Sequence, residues 1–245
     1  MRHLLVINPN TGHAVTDRLR TCIAGLLPAD VHLQCITARF GAPYIACEAS
    51  AVVAGHALLD VWAQHLSDTA TLPDGVLIAC FGDPGLFALR ASSACPVTGL
   101  AEASFIQASD LGSFAIVTGG AHWPAMLHRL AQNLGFEAQL KGIEIVHETG
   151  AQLMADKAMA LRVLGDACVK AARTGAKSII LGGAGLVGYA PFLQDQVKLP
   201  IIDSVSAGLN LYLNRKMPPA LQTINAFETA WNNLPDHMCL PTKQQ

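Results

Sequence analysis

The sequence predicts an α/β protein of two pseudo-symmetric halves, each a short, mostly parallel sheet flanked by helices, with a ligand crevice between them. Three observations predict this fold. Short β-rich runs alternate with longer helical patterns along the chain. The order of elements in the first half recurs in the second. Finally, GVLIACFGDPGL (75–86) followed by CPVTGLAEA (95–103) lines up with SIILGGAGLVG (178–188) followed by LPIIDSVSAG (199–208), so that Cys80 falls opposite Gly183.

In the first half the reading is a strand over 2–8, a helix over about 13–27, a strand over 31–38, a helix over about 46–66, and strands over 75–80 and 95–99. The second half repeats it with a strand over 113–118, a helix over 122–134, a strand over 136–146, a helix over 151–173, and strands over 177–182 and 199–203. The helix over 122–134 is placed by Trp123, Met126, Leu127, Leu130 and Leu134 recurring on one face. Val31, Leu33, Cys35 and Thr37 alternate with largely polar neighbours, and Ala138, Leu140, Gly142 and Glu144 do so less cleanly, so both segments read as sheet edges. Leu221, Ile224, Phe227 and Trp231 recur at steps of three and four and predict a last helix packing on the first half. The lobes are therefore read as 1–99 with 208–245, and 100–207.

Composition narrows the function. Of 245 residues 51% are apolar and only 14% are Asp, Glu, Lys or Arg, against roughly 25% charged in an average soluble domain. Surface hidden by self-association, a homo-oligomer, is the expected explanation. A formal charge of -2 offers no basic field to a phosphate backbone, which excludes nucleic acid as the leading partner. The N-terminal apolar run is interrupted at Asn8 and Pro9, so no export signal is expected, and no segment approaches the ~20 apolar residues of a membrane span. The seven cysteines (22, 35, 47, 80, 95, 168, 239) lack CxxC spacing, which argues against disulfides or structural zinc and points to a reducing cytoplasm. The histidines show no paired-ligand spacing, so no metal is expected.

The chemistry converges on the strand ends. Cys80 closes an apolar strand, and Asp83 and Pro84 after it suit the N-cap and first turn of a helix whose positive end would favour the thiolate. A buried structural thiol is the other reading of Cys80. Asn8, Pro9, Asn10 and Thr11 follow the first strand and Thr118, Gly119 and Gly120 its equivalent, each as binding groups or as plain turns. His122 is the one histidine near the crevice, a weak candidate for proton transfer. Gly183-Ala-Gly185-Leu-Val-Gly188 with Asp203 has the spacing of a dinucleotide fingerprint, although Pro191 leaves little room for the helix that such a site requires.

INPNT (7–11), CFGDPGL (80–86), PVTGLAEA (96–103), Val117-Thr118, LGGAGL (181–186) and PIIDSV (200–205), in that order, resemble the hydantoin and allantoin racemases of the aspartate/glutamate racemase superfamily over nearly the whole chain. The resemblance implies a cofactor-independent enzyme acting on a small molecule. One thiolate would remove the proton next to a carbonyl while a second thiol returns one on the opposite face, with backbone N–H groups holding the enolate-like intermediate. Cys80 matches the first of these cysteines, but Gly183 stands where the second belongs. Asn10, Phe81, Gly82, Thr118, Ala184, Gly185 and Ser204 are the implied binding groups. Without the second thiol, His122, Ser204, Ser206 or water would have to complete an inversion. Otherwise the chain performs one-sided chemistry as a decarboxylase, lyase or hydrolase, or is an inactive relative.

Overall fold

In the computed structural model, residues 1–69, 71–148, 150–221 and 234–239 are described. Two four-stranded sheets, every pairing parallel, form the two halves. Their strand orders are β2-β1-β3-β4 and β6-β5-β7-β8. The first sheet comprises β1 (Arg2–Asn8), β2 (Val31–Thr37), β3 (Gly75–Ile78) and β4 (Val97–Gly99). The second comprises β5 (Phe114–Gly119), β6 (Leu140–Val146), β7 (Ser178–Gly182) and β8 (Ile201–Asp203). β3, β5 and β7 are buried along their whole length, the signature of strands covered on both faces, whereas β2 and β6 are half-buried edges as their alternation predicts.

The helices are α1 (His13–Ala24), α2 (Glu48–Asp68), α3 (Leu86–Ser92), α4 (Leu100–Ser109), α5 (Trp123–Asn133), α6 (Gly150–Ala155), α7 (Lys157–Ala171), α8 (Ala190–Leu193) and α9 (Ser204–Leu213). Four expectations need correction. The helix expected over 151–173 is two, because Asp156 leaves helical geometry and its carboxylate caps α7 by accepting from Met159 N–H at 2.9 Å. The strand expected from 136 begins only at Leu140, since Phe136 to Gln139 form a turn closed by the Gln139 N–H to Phe136 carbonyl bond. Sequence reasoning also missed α4 and α9. The expected final helix falls on 222–233, outside the described residues.

α4 and α9 join the halves. α4 leaves β4 of the first sheet and packs on β7 of the second. α9 leaves β8 and brings Gly208 against Leu77 of β3, where an added Cβ would stand 2.7 Å from the Leu77 side chain. Phe105 of α4 is fully buried, stacked on Phe114 of β5 with ring centroids 5.2 Å apart and edge-on to Phe81 at 6.4 Å. One apolar core thus runs beneath both strand ends and fixes how they face each other. No helix among the described residues is long and apolar enough to cross a membrane.

Candidate active site

The carboxyl ends of both sheets meet at a cavity of about 110 Å³ between the halves, where ligands bind in open parallel sheets of this kind. Cys80, two residues past β3, lines it from the first half, with Asn10 from the end of β1. Thr118 and the half-buried Gly183, Ala184 and Gly185 line it from the second half, and Leu153 and Met154 of α6 border it. The walls are predominantly apolar.

Cys80 is 8% exposed, and the ionisation of its thiol runs against expectation. Burial, and next to it the charge of Asp83, push its pKa well above the ordinary thiol value. The helix expected to favour the thiolate begins only at Leu86, is seven residues long, and is preceded by Gly85 at φ 79°. Asp83 does not cap it. At φ 48°, Asp83 turns its carboxylate to α4 and accepts from the Ala101 and Glu102 N–H groups at 2.9 and 2.7 Å. It therefore serves as the side-chain cap that α4 lacks locally, because Gly99 stands at its N-cap position. Burial nevertheless raises the Asp83 carboxyl to about 7, the two backbone bonds opposing it.

Gly183 is held at φ +147°, a conformation that side chains with a Cβ rarely adopt, and a Cβ there would meet Leu186 at 3.3 Å. Its N–H donates to Ser204 Oγ at 3.3 Å. Beside it the Phe81 ring lies on Gly182, 2.3 Å from where a Cβ would be, and Thr118 Oγ1 donates to the Gly182 carbonyl at 2.8 Å. The Asn10 Oδ1 accepts from Gly12 N–H and from Asn8 Nδ2, so the group it offers a ligand is its amide Nδ2.

Three of the expected site residues are not in the cavity wall. Gly82 is covered by the Trp123 ring and faces a neighbouring surface groove. Ser204 is buried behind Gly183, and the exposed His122 stands at the N-terminus of α5 outside the cavity lining. Ser206 lies on α9, its N–H on Asp203 Oδ1. Asp203 accepts from Gly188, Val205 and Ser206 N–H groups, a cap for α9 and not a free ribose ligand. The glycine motif leads into a single 3-10 turn (Ala184–Leu186) and the four-residue α8, too little helix to aim a dipole at a pyrophosphate. Among the described residues no three His, Cys, Asp or Glu gather as metal ligands.

Sequence reasoning missed Tyr44 and Trp123. Tyr44, on the loop between β2 and α2, reaches across to the second half. Its hydroxyl donates to the Gly119 carbonyl at 3.4 Å and lies beside the Trp123 indole, whose N–H is a donor only. Burial raises its pKa, the indole bond opposes this, and the charge of Cys80 raises it further. Arg18 of α1 makes a second bridge, donating to the Val187 carbonyl at 3.0 Å with its guanidinium over the Tyr189 ring.

The profile of a family described as Asp/Glu/Hydantoin racemase matches residues 4–212. A hydantoin racemase of Paenarthrobacter aurescens is 32% identical over 206 residues, 83% of this chain and 86% of its own. Among solved structures, an allantoin racemase from Klebsiella pneumoniae superposes with a TM-score of 0.81 at 24% identity, covering 100% of this chain and 95% of that one. An arylmalonate decarboxylase superposes with a TM-score of 0.55 at 19% identity, covering 89% and 96%. These two structural likenesses concern the fold.

Proposed function

The chain belongs to the Asp/Glu/Hydantoin racemase family and is an isomerase of the racemase type; from that premise we propose that its substrate is a hydantoin-type ring, allantoin or a 5-substituted hydantoin, and that Cys80 moves the proton next to the ring carbonyl without a cofactor. The observation that carries this reading is the position of Cys80 in the wall of the cavity where the strand ends of both halves meet. The apolar wall, with Phe81, Leu153 and Met154, suits an apolar substituent better than the polar ureido group of allantoin. Asn10 Nδ2 and the amides of Ala184 and Gly185 are the donors assigned to the ring carbonyls, where negative charge develops. With burial holding the thiol protonated, the thiolate base is a minor species whose population rises with pH.

A second reading is favoured by the conformation of Gly183, which presents no side chain to the cavity: one-sided protonation, as a single-thiol decarboxylase or lyase would perform. Single enantiomers of several hydantoins in deuterated water, followed for exchange and optical rotation, separate the two. Exchange with inversion is the expected result, and exchange with retained configuration establishes one-sided chemistry. Cys80→Ala is expected to lose inversion; full turnover in that variant overturns the assignment.

A further inference from the structure

The geometry points to Tyr44 as the acid that works opposite Cys80, in the place left without a thiol by Gly183. The inference rests on the racemase reading of the site. Cys80 and Tyr44 line the same cavity. Cys80 follows β3 of the first sheet. The Tyr44 phenol, although carried by a loop of the first half, has its hydroxyl seated against Gly119, Gly120 and Trp123 of the second half. An added Cβ on Gly120 would lie 2.7 Å from that oxygen. The hydroxyl is thus delivered to the half whose own strand end, at Gly183, offers hydrogen only.

Its hydrogen bonds fit the task. The bond to the Gly119 carbonyl is long at 3.4 Å, so the phenolic proton is weakly held and free to turn to a carbanion. The Trp123 indole can only donate, and it therefore stabilises the phenolate that remains after the proton has left. Burial keeps the phenol protonated until then.

The step balances without a further reactant. Cys80 Sγ forms an S–H bond as the ring C–H bond breaks, and the electron pair moves onto the adjacent carbonyl. The Tyr44 O–H bond then breaks as a C–H bond forms on the other face, leaving the phenolate on the indole N–H. Solvent removes the thiol proton and returns one to the phenolate. In the reverse direction the phenolate is the base and the thiol the acid.

Tyr44→Phe removes the hydroxyl and keeps the ring. With each hydantoin enantiomer taken separately in deuterated water, the wild-type protein is expected to exchange and invert. For the enantiomer whose C–H bond faces Cys80, the variant is expected to retain exchange while its ratio of inversion to exchange falls about a hundredfold, the scale of one positioned acid; for the other enantiomer, whose base is Tyr44, exchange and inversion are expected to fall together. An unchanged ratio for both enantiomers overturns the assignment. Exchange without inversion in the wild-type protein also overturns it and leaves Cys80 as base intact. A wild-type protein that neither exchanges nor inverts any hydantoin removes the racemase reading of the site, and this assignment with it.

Discussion

Asp83 accepts a hydrogen bond from the backbone N–H of Glu102 at 2.7 Å, tying the turn after Cys80 to the first turn of α4. One carboxylate therefore has two effects. It completes the helix that crosses between the halves, and its charge disfavours ionisation of the thiol three residues before it. Gly99 is required by the same contact, since a Cβ there would come within 2.1 Å of the Asp83 carboxyl carbon.

Asp83→Asn keeps an oxygen for the cap and removes the charge. A negative charge near Cys80 disfavours its thiolate, so removing it favours the thiolate, and the rising limb of the pH dependence of kcat/KM is expected to move to lower pH. The limb is read from initial rates across the neutral and alkaline range; an unmoved limb shows that Asp83 does not govern the base. Stability provides a second measurement. Asp83 titrates at about 7 in the fold against 3.8 ordinarily, so its contribution is fully present below 3.8 and is lost as pH rises towards 7. Across that window the wild-type protein should therefore lose denaturation midpoint relative to Asp83→Asn. Asp83→Ala, which loses the cap as well, should cost about 0.5–2 kcal/mol.

Gly183 has taken a backbone conformation suited to glycine, so the missing thiol is not restored by adding sulfur alone. Both Gly183→Ala and Gly183→Cys are expected to lose about 1–3 kcal/mol in chemical denaturation, because the strain arises from φ and from Leu186 and not from the sulfur. The difference between the two variants isolates the sulfur: faster racemisation in Gly183→Cys than in Gly183→Ala reports the second thiol at work. Undiminished stability in both variants would show that the backbone at this position relaxes freely.

Much of this architecture was legible in the sequence because it rests on local signals. Strand burial follows from the apolar runs at 75–79 and 178–182, and the repeat of those runs set Cys80 and Gly183 at equivalent strand ends. α9 carries its own cap in Asp203, a signal that could have revealed the missed helix. α4 carries none, since its cap comes from Asp83 across a helix and a strand, and no window around Leu100 contains that information. Tyr44 was invisible for the same reason. Nothing periodic marks Gly41-Ala-Pro-Tyr44, and its partners Gly119 and Trp123 belong to the other half. The sign of the Cys80 shift likewise depends on burial produced by distant segments, which the strand-turn-helix pattern around Cys80 does not encode.

Phe81 packs on Gly182 so closely that neither position can change alone. Gly182→Ala is expected to cost about 1–3 kcal/mol by overpacking and to reduce activity by shifting the strand ends apart. Pairing it with Phe81→Leu should recover part of the stability, because the smaller side chain vacates the space the new methyl needs. Denaturation of the two single variants and the double variant measures the coupling; strictly additive losses would mean that the two residues do not share that contact.

The base of the first half is set against acid. His3 and His65 lie with ring centroids 6.0 Å apart, His32 stands 5.1 Å from His3, and Trp62 stacks on His65. Burial first, and then the charge of a neighbouring histidine, depress the pKa of both His3 and His65, with Gln34 and then Asp74 opposing at His3 and Asp68 at His65. The Nε2 atoms of both rings are buried without a hydrogen-bond partner among the described residues, so neither has a ready acceptor for a second proton. A group whose folded pKa is lowered contributes stability above its unfolded value of 6.5 and loses it as pH falls through the folded value. The histidine pair therefore contributes an acid limb to thermal unfolding below about pH 6.5, opposed over the same window by the protonation of Asp83, and its share is the difference in unfolding temperature between the wild-type protein and a variant. His65→Phe, which keeps an aromatic ring against Trp62 and removes one proton acceptor, should flatten that dependence. An equally steep acid limb in the variant would locate the acid sensitivity elsewhere.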